Sequence, residues 1–307
     1  MISRYYRSVS DTTTQILTDY NKDCWVHLEA PTADELAEVV RRYKLTPGHL
    51  DDALDEDEVP RLEMEGDQMY IYVRYGGKER DGEYEIFPLL IIILKQTLIT
   101  VSSRHIAVIE SLIAGSQPIV TAERTRLVLM IIQQITRQYD LLIDKTSLNI
   151  KAVRQRLRNQ AVTNQDFVDF VTIEDELNEF LSALQPNNAV LRRLLVGHWS
   201  VAADQDLVED VLLMNEQSVE KCNNNIKSII GVRNAHSSIS DNSLNQTMKV
   251  LTVATLAMAI PNMVFGIYSM NVETPFQHST GAFWIIVGFT VIILTIIMTI
   301  GRKKGIF

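Results

Sequence analysis

The residues with chemistry to offer sit in an otherwise apolar run near the carboxyl end. Asn245, Met248, Leu251 or Thr252, Thr255, Ala259, Asn262, Gly266 and Ser269 recur at three- and four-residue spacing, the period of one helix face, while Val253, Leu256, Ile260, Val264 and Ile267 fall largely elsewhere. The run ends in Tyr268, Ser269, Met270 and Asn271. An amide oxygen is a neutral donor that can touch a cation through its hydration shell. In hydrocarbon the same amide needs a partner, and Asn262 finds one either in another helix or in water. Asn262 and Asn271 are nine residues apart, about two and a half turns, so they share a helical line only if the helix bends or ends between them. Pro261 lacks an N–H and crowds the Ala257 carbonyl, giving either a packing kink or a freed oxygen near Asn262.

The elements that must position these groups follow from charge. Between Lys249 and Glu273 lie 23 residues without a formal charge, and another 28 follow from Thr274 to Gly301. About 20 apolar helical residues cross a hydrocarbon core of about 30 Å, so a first membrane helix is expected near Val250 to Tyr268 and a second near Phe283 to Ile300. Arg302, Lys303 and Lys304 close the second, Lys249 opens the first, and the loop between them has neither Lys nor Arg. That asymmetry places both termini in the cytoplasm of a multi-pass protein of the plasma (inner) membrane. The opening "MISRYYRSVS" has no apolar core and is not expected to act as a signal peptide.

Past Lys249 stand three basic residues and one acidic, so the preceding residues hold a net charge near −11 within the total of −9. An acidic body argues against nucleic acid and suits cations. Asp51 to Glu58 contains six acids in eight residues, either a solvated loop or a cation-attracting rim. "YGGKERDG" lacks the spaced first glycine and the Ser/Thr of a phosphate loop, so no nucleotide is expected. The six histidines show no metal spacing, and Cys24 and Cys222 no CxxC spacing, so the chain does not read as an enzyme. Passive flow needs none, because 100 mV is worth about 4.6 kcal/mol to a divalent ion.

The first 115 residues read as α/β. "CWVHL" and "QMYIYVRY" look like strands, "IFPLLIIILKQTLITVSS" like two buried strands around a Lys-Gln-Thr turn, and Thr32 with Glu35 caps a helix bearing Leu36, Val39 and Val40. From Thr121 the period is helical, with Leu127, Ile131, Ile135, Leu142 and Leu148 on one face. A second helix is expected from about Asp166 to Leu184, stopping at "QPNN", and a third over "AVLRRLLVGHWS". From Asp204 no proline occurs before Pro261, which reads as one helix of roughly 100 Å entering the membrane. Its middle, "SVEKCNNNIKSIIGVRNAHSSISDNSLNQ", is too polar to stand alone, so partners packed around it are expected.

"NQTMKVLTVATLAMAIPNMVFGIYSMN", two carboxy-terminal helices joined by a short loop and the terminal "RKK" together resemble the CorA divalent-cation transporters, whose signature closes the first membrane helix with Tyr-Gly-Met-Asn. The resemblance spans the whole layout. It implies a CorA-like funnel: an α/β cytoplasmic domain, a long-helix stalk and two C-terminal transmembrane helices, assembled as a homopentamer in membrane lipid. By matching positions, Asn271 and Met270, with Ser269 and Tyr268, would form the selectivity ring, and five Asn271 side chains would present carbonyl oxygens to a hydrated Mg²⁺. Asn262, Ala259, Leu251, Met248 and Asn245 would face the conduit, with Thr255 on the same stripe and Met248 and Leu251 as a hydrophobic gate. Asp210, beside Glu209, would hold regulatory Mg²⁺, with Glu79, Asp81, Glu83 or Glu85 as its partner across the subunit interface. Loss of that Mg²⁺ would free the stalks, since facing carboxylates repel when empty.

Ser269 stands where the signature has glycine, so a left-handed backbone there would cost about 1–2 kcal/mol, whereas a helical one would merely add a hydroxyl. Zinc-transporting relatives also vary this motif. The external loop offers Glu273 as its one acid, with His278. The domain division is 1–115 α/β, 116–203 helical, 204–249 stalk, 250–271 pore helix, 272–282 external loop, 283–301 second membrane helix and 302–307 basic tail. The expected function is Mg²⁺ uptake gated by cytoplasmic Mg²⁺. The alternatives are a transporter of Zn²⁺, Co²⁺ or Ni²⁺ with the same fold and a non-conducting membrane-anchored adaptor.

Overall fold

Alternating residues along four strands build two apolar faces. Val26 and Leu28 of β3 (Trp25–Glu29), Tyr70 and Tyr72 of β5 (Gln68–Lys78), Leu90 and Ile92 of β6 (Tyr84–Ile93) and Ile99 and Val101 of β7 (Leu98–Ser102) share one buried cluster. Their in-between neighbours Ile71, Val73, Leu89 and Ile91 are equally buried, so by the two-residue strand period the sheet is covered on both sides. The computed structural model describes residues 1–78, 84–115, 119–159, 164–197, 204–273, 275 and 279–303.

Three further strands, β1 (Ile2–Tyr6), β2 (Gln15–Ile16) and β4 (Arg61–Glu65), complete a seven-stranded sheet of order β2-β1-β3-β7-β6-β5-β4. Pairing of β3 with β7 is parallel and the other pairings are antiparallel. The β6–β7 turn closes with the Leu94 N–H donating to the Thr97 carbonyl at 3.0 Å. β1 and β2 show no strand alternation in the sequence, whereas "RLEME" of β4 alternates Leu62 and Met64 with charged residues, a strand signal that the expected strands leave out. Two of these are edge strands, and none carries a run of buried side chains.

Helices α1 (Ala33–Tyr43) and α2 (Pro47–Asp52) cover the first face through Val39 and Leu50. The capping box is present: Thr32 Oγ1 accepts from the Glu35 N–H at 3.3 Å and Glu35 Oε2 from the Thr32 N–H at 2.9 Å. The short α3 (Ala107–Ala114) follows β7. Against the opposite face pack α4 (Arg124–Asn159) and α5 (Asn164–Val196), with Gln138 Nε2 donating to the Gly76 carbonyl at 2.6 Å and the Tyr139 hydroxyl to the Arg74 carbonyl at 3.3 Å.

Two helical expectations need correction. Leu148 is 63% exposed; the buried line of α4 runs Leu127, Ile131, Ile135, Tyr139, Ile143, Ile150 and Val153. Steps of four and three drift around a 3.6-residue helix, and Leu148 falls off the line. Nor does the chain stop at "QPNN": α5 runs through Pro186 and absorbs the expected third helix as far as Val196. The missing N–H at Pro186 is outweighed because the buried stripe Phe180, Leu184, Asn187, Val190, Leu191 and Leu194 continues across it. Asn187 also clamps the sheet. Its Oδ1 accepts from the Arg74 N–H at 3.1 Å and its Nδ2 donates to the Arg74 carbonyl at 3.0 Å.

The next helix, α6, is continuous over Gln205–Tyr268, and α7 covers Ala282–Lys303. Contacts divide the chain into two units, Met1–Gly231 and Val232–Phe307. In the first, Asn215 of α6 is 1% exposed, and its Nδ2 donates to the Leu184 carbonyl and to Asn188 Oδ1, both at 2.8 Å, while Thr136 Oγ1 lies 3.4 Å from its Oδ1. Both cysteines are free and buried.

Two measurements check this packing. Asn215→Ala orphans a carbonyl and an amide oxygen and is expected to lower unfolding free energy by about 1–3 kcal/mol in denaturant titrations of the whole chain. His27 is 4% exposed, and burial holds its imidazole down to about 4 despite Glu29 nearby. Above the ordinary value of 6.5 neither state carries that proton. As pH falls from 6.5 toward 4 the unfolded chain gains it first, so stability should drop by roughly 3 kcal/mol. His27→Phe is expected to flatten that part of the pH–stability curve.

Candidate functional site

Helix α6 leaves its polar stripe uncovered. From Ser237 to Thr252 every residue is exposed, including Met248 at 58% and Leu251 at 65%. Farther along, Val253, Ala257, Ile260, Val264 and Tyr268 are half-buried, in steps of four and three. On α7 the covered line is Ile286, Thr290, Ile293, Ile297 and Gly301, with the same steps. These matching lines are the faces the two helices turn to each other. Asn245, Thr255, Ala259, Asn262, Gly266 and Ser269 are all exposed. At about 100° per residue their line lies on the side of α6 opposite the covered one. Leu256 and Ile267 lie off both lines and are exposed.

The hydroxyls on this stretch are turned into their own helix. Thr252 Oγ1 donates to the Met248 carbonyl and Thr255 Oγ1 to the Leu251 carbonyl, each at 2.8 Å, and Ser269 Oγ to the Gly266 carbonyl at 2.9 Å. Each hydroxyl proton is thereby committed, and the oxygen lone pairs remain. Among the described residues no hydrogen bond uses the side-chain amides of Asn245, Asn262 or Asn271. Pro261 lies inside α6, which leaves the Ala257 carbonyl without its backbone donor.

The end of α6 answers the question raised by Ser269. Non-glycine residues with positive φ among those described are Asp23, Ala30 and Lys44, so Ser269 is not left-handed and carries no such strain. Its N–H donates to the Phe265 carbonyl at 3.0 Å, and the Met270 N–H to the Ile267 carbonyl at 3.4 Å, a tightening last turn. Helix geometry ends at Tyr268, between Asn262 and Asn271, so the two amides are released from a common helical phase. Met270, Asn271 and Glu273 are exposed beyond it. His278 lies outside the described residues.

Glu209 and Asp210 are exposed near the start of α6. Glu79, Asp81 and Glu83 lie outside the described residues, as does Lys304. Glu85 lines a cleft of about 460 Å³ together with Glu56, Asp57, Asp175, Glu176 and Glu179, with Arg74 as the cation among them. The α5 carboxylates escaped sequence reasoning, although "EDELNE" gives their spacing, because nothing local says that this face meets β6. The acidic tract is partly neutralised: Arg61 pairs with Asp52 at 2.7 Å and with Glu58, and Arg104 with Glu56 at 3.2 Å. Among the described residues no group of three or more His, Cys, Asp or Glu side chains is placed to hold a metal ion.

Both α6 and α7 contain stretches long and apolar enough to cross a membrane, with mean hydropathy 1.9 and 2.7. Residues 21–303 match the family described as CorA-like Mg²⁺ transporter protein. A relative named cobalt/magnesium transport protein CorA, from Methanocaldococcus jannaschii, is 25% identical over 292 residues, covering 92% of this chain and 90% of its own. The solved complete structure of the CorA magnesium transporter from the same organism superposes with a TM-score of 0.86 at 22% identity, covering 100% of this chain and 99% of that one. Full-length CmaX superposes with a TM-score of 0.80 at 17% identity, covering 98% and 97%. With nearly its whole length inside the match, from sheet to second apolar helix, this chain belongs to the CorA-like Mg²⁺ transporter family.

Proposed function

We propose that the chain is a channel for Mg²⁺ uptake, a homopentamer in the plasma (inner) membrane with both termini cytoplasmic, the stripe of α6 facing a central conduit and α7 packed outside it. The observation that carries this reading is the uncovered line Asn245, Met248, Leu251, Thr255, Ala259 and Asn262, opposite the face that α6 turns to α7. A polar stripe facing lipid would be costly, and five copies around an axis would turn it to water. The name of the Methanocaldococcus relative supports Mg²⁺ and Co²⁺ as cargo.

In this mechanism Asn271, Met270, Ser269 and Tyr268 form the outer ring, where the Asn271 amide oxygens hold a hydrated ion without stripping its water. Ser269 directs its hydroxyl proton back to Gly266, so its oxygen adds acceptor character to the ring's inner edge. Met248 and Leu251 form a hydrophobic constriction. Glu273 gives each subunit one carboxylate at the mouth. The membrane potential drives entry, about 4.6 kcal/mol for a divalent ion at 100 mV.

Closure is set from inside. In this reading Asp210 and Glu209 of one subunit would hold a regulatory Mg²⁺ together with a carboxylate of the neighbour's sheet domain, drawn from Glu79, Asp81, Glu83 and Glu85, and the ion's charge would offset their repulsion and favour closed stalks. Without that charge the facing carboxylates would repel and favour an open conduit. The domain boundaries that serve this reading are the sheet to residue 115, helices to 203, stalk to 249, pore helix to 271, loop to 282, second helix to 301 and the basic tail.

Purified protein in liposomes is expected to carry Mg²⁺, and Asn271→Ala to reduce that flux at least tenfold while the oligomer elutes unchanged. Flux of Zn²⁺ without Mg²⁺ would overturn the cargo assignment. Asp210→Lys is expected to shift the Mg²⁺ concentration that protects the cytoplasmic part from protease upward by severalfold; an unaltered protection curve would remove Asp210 from regulation.

A further inference from the structure

A cavity of about 640 Å³ opens where two turns of the sheet meet the starts of two helices. The β4–β5 and β6–β7 turns form one side and the first turn of α4 another, and Asp204 stands immediately before α6. Met69, Ile93 and Leu94 give it an apolar wall. A space of this size, part apolar and part charged, suits a small organic molecule.

The charges around it pair off with one exception. Lys95 meets Asp67 at 2.6 Å, Arg124 meets Asp23 at 3.0 Å and Arg126 meets Glu123 at 3.9 Å. Each cation thus has its own carboxylate, and Asp204 is left over. It is 8% exposed, and among the described residues no hydrogen bond or ion pair uses its carboxylate. An ionised carboxylate taken out of water is costly unless a cation meets it, and the start of α6 offsets only part of that cost. A metal ion does not answer the need, because among the described residues no group of three or more His, Cys, Asp or Glu side chains is placed for one. The missing partner has a positive charge, N–H donors and an apolar body.

We propose that this cavity is a binding site for a small organic cation, a primary ammonium on a short alkyl chain, its N–H groups on Asp204 and its chain against Met69, Ile93 and Leu94. An ammonium brings three donors to the carboxylate, and its chain takes apolar wall out of water. The bound cation ties the first turn of α6 to the two turns of the sheet. The site lies wholly within Met1–Gly231, so it stands independently of the reading of α6 as a pore helix.

The test uses the whole chain in detergent, with n-butylammonium, n-butanol and butyrate as probes of matched chain and different charge. Saturation-transfer NMR should show n-butylammonium bound about tenfold more tightly than the other two, or more. Asp204→Asn keeps the shape and removes the charge. It should weaken the ammonium by the same factor, leave n-butanol unchanged and, by relieving an unpaired buried charge, raise the melting temperature of the free chain. Ala122→Trp, at an exposed position on the cavity wall, should block the ammonium with Asp204 intact. Equal binding of n-butylammonium and n-butanol overturns the proposal. So does a lowered melting temperature for a folded Asp204→Asn chain, which would mean that a cation of the chain itself already holds the carboxylate. If n-butylammonium splits an assembly into single chains, the cavity belongs to a basic side chain of a second copy and the proposal falls.

Discussion

A side-chain amide in hydrocarbon costs free energy until something hydrogen-bonds it, and Asn262 imposes that requirement on everything around it. In the proposed reading of α6 as a membrane helix, Asn262 lies 13 residues, about 20 Å, along the helix from Lys249, inside a hydrocarbon core of about 30 Å. Helix α7 does not relieve it, because α7 takes the opposite face of α6. Water or another chain remains, and each requires assembly around the stripe. That is why the oligomer and the conduit are one proposal rather than two.

Amides elsewhere in the chain show the contrast. Asn187 and Asn215 are almost fully buried and fully engaged, one holding the Arg74 backbone and the other joining α6 to α5 and α4. Where this sequence buries an asparagine for packing, it supplies the partners within the chain. The stripe of α6 lacks them. The same helix thus begins in a satisfied polar network and ends with amides that wait for water or for neighbours.

Periodicity made much of this legible. Uncharged runs of 23 and 28 residues define the apolar helices by length, and Thr32 with Glu35 fixes the start of α1 through local hydrogen bonds. What escaped was set by distant contacts. Pro186 reads as a stop by its own chemistry, yet α5 continues because its buried stripe meets the sheet on both sides of it. Leu148 reads as a core residue if the face is drawn straight, but the helix drifts and Ile150 takes its place. Strand β1 has no alternation to read, whereas β4 alternates Leu62 and Met64 with charged residues over a short stretch at the sheet edge, and that pattern is legible though the expected strands leave it out. Glu176 and Glu179 gained meaning only once α5 was seen beside Glu85.

Ser269 shows how one backbone angle separates two explanations of a single substitution. Had the chain turned left-handed there, glycine would be a steric necessity and serine a defect in the ring. Instead the last turn tightens through N–H groups at Ser269 and Met270, and the Ser269 side chain adds a third bond to the Gly266 carbonyl. Carbonyls at a helix end lack backbone partners, so this hydroxyl supplies one that glycine cannot. The substitution therefore stiffens the end of α6 immediately before Asn271. In the ring proposed for Asn271, a more rigid edge would distinguish cations by the size of the hydrated ion, so the effect of Ser269 would fall on selectivity rather than on folding.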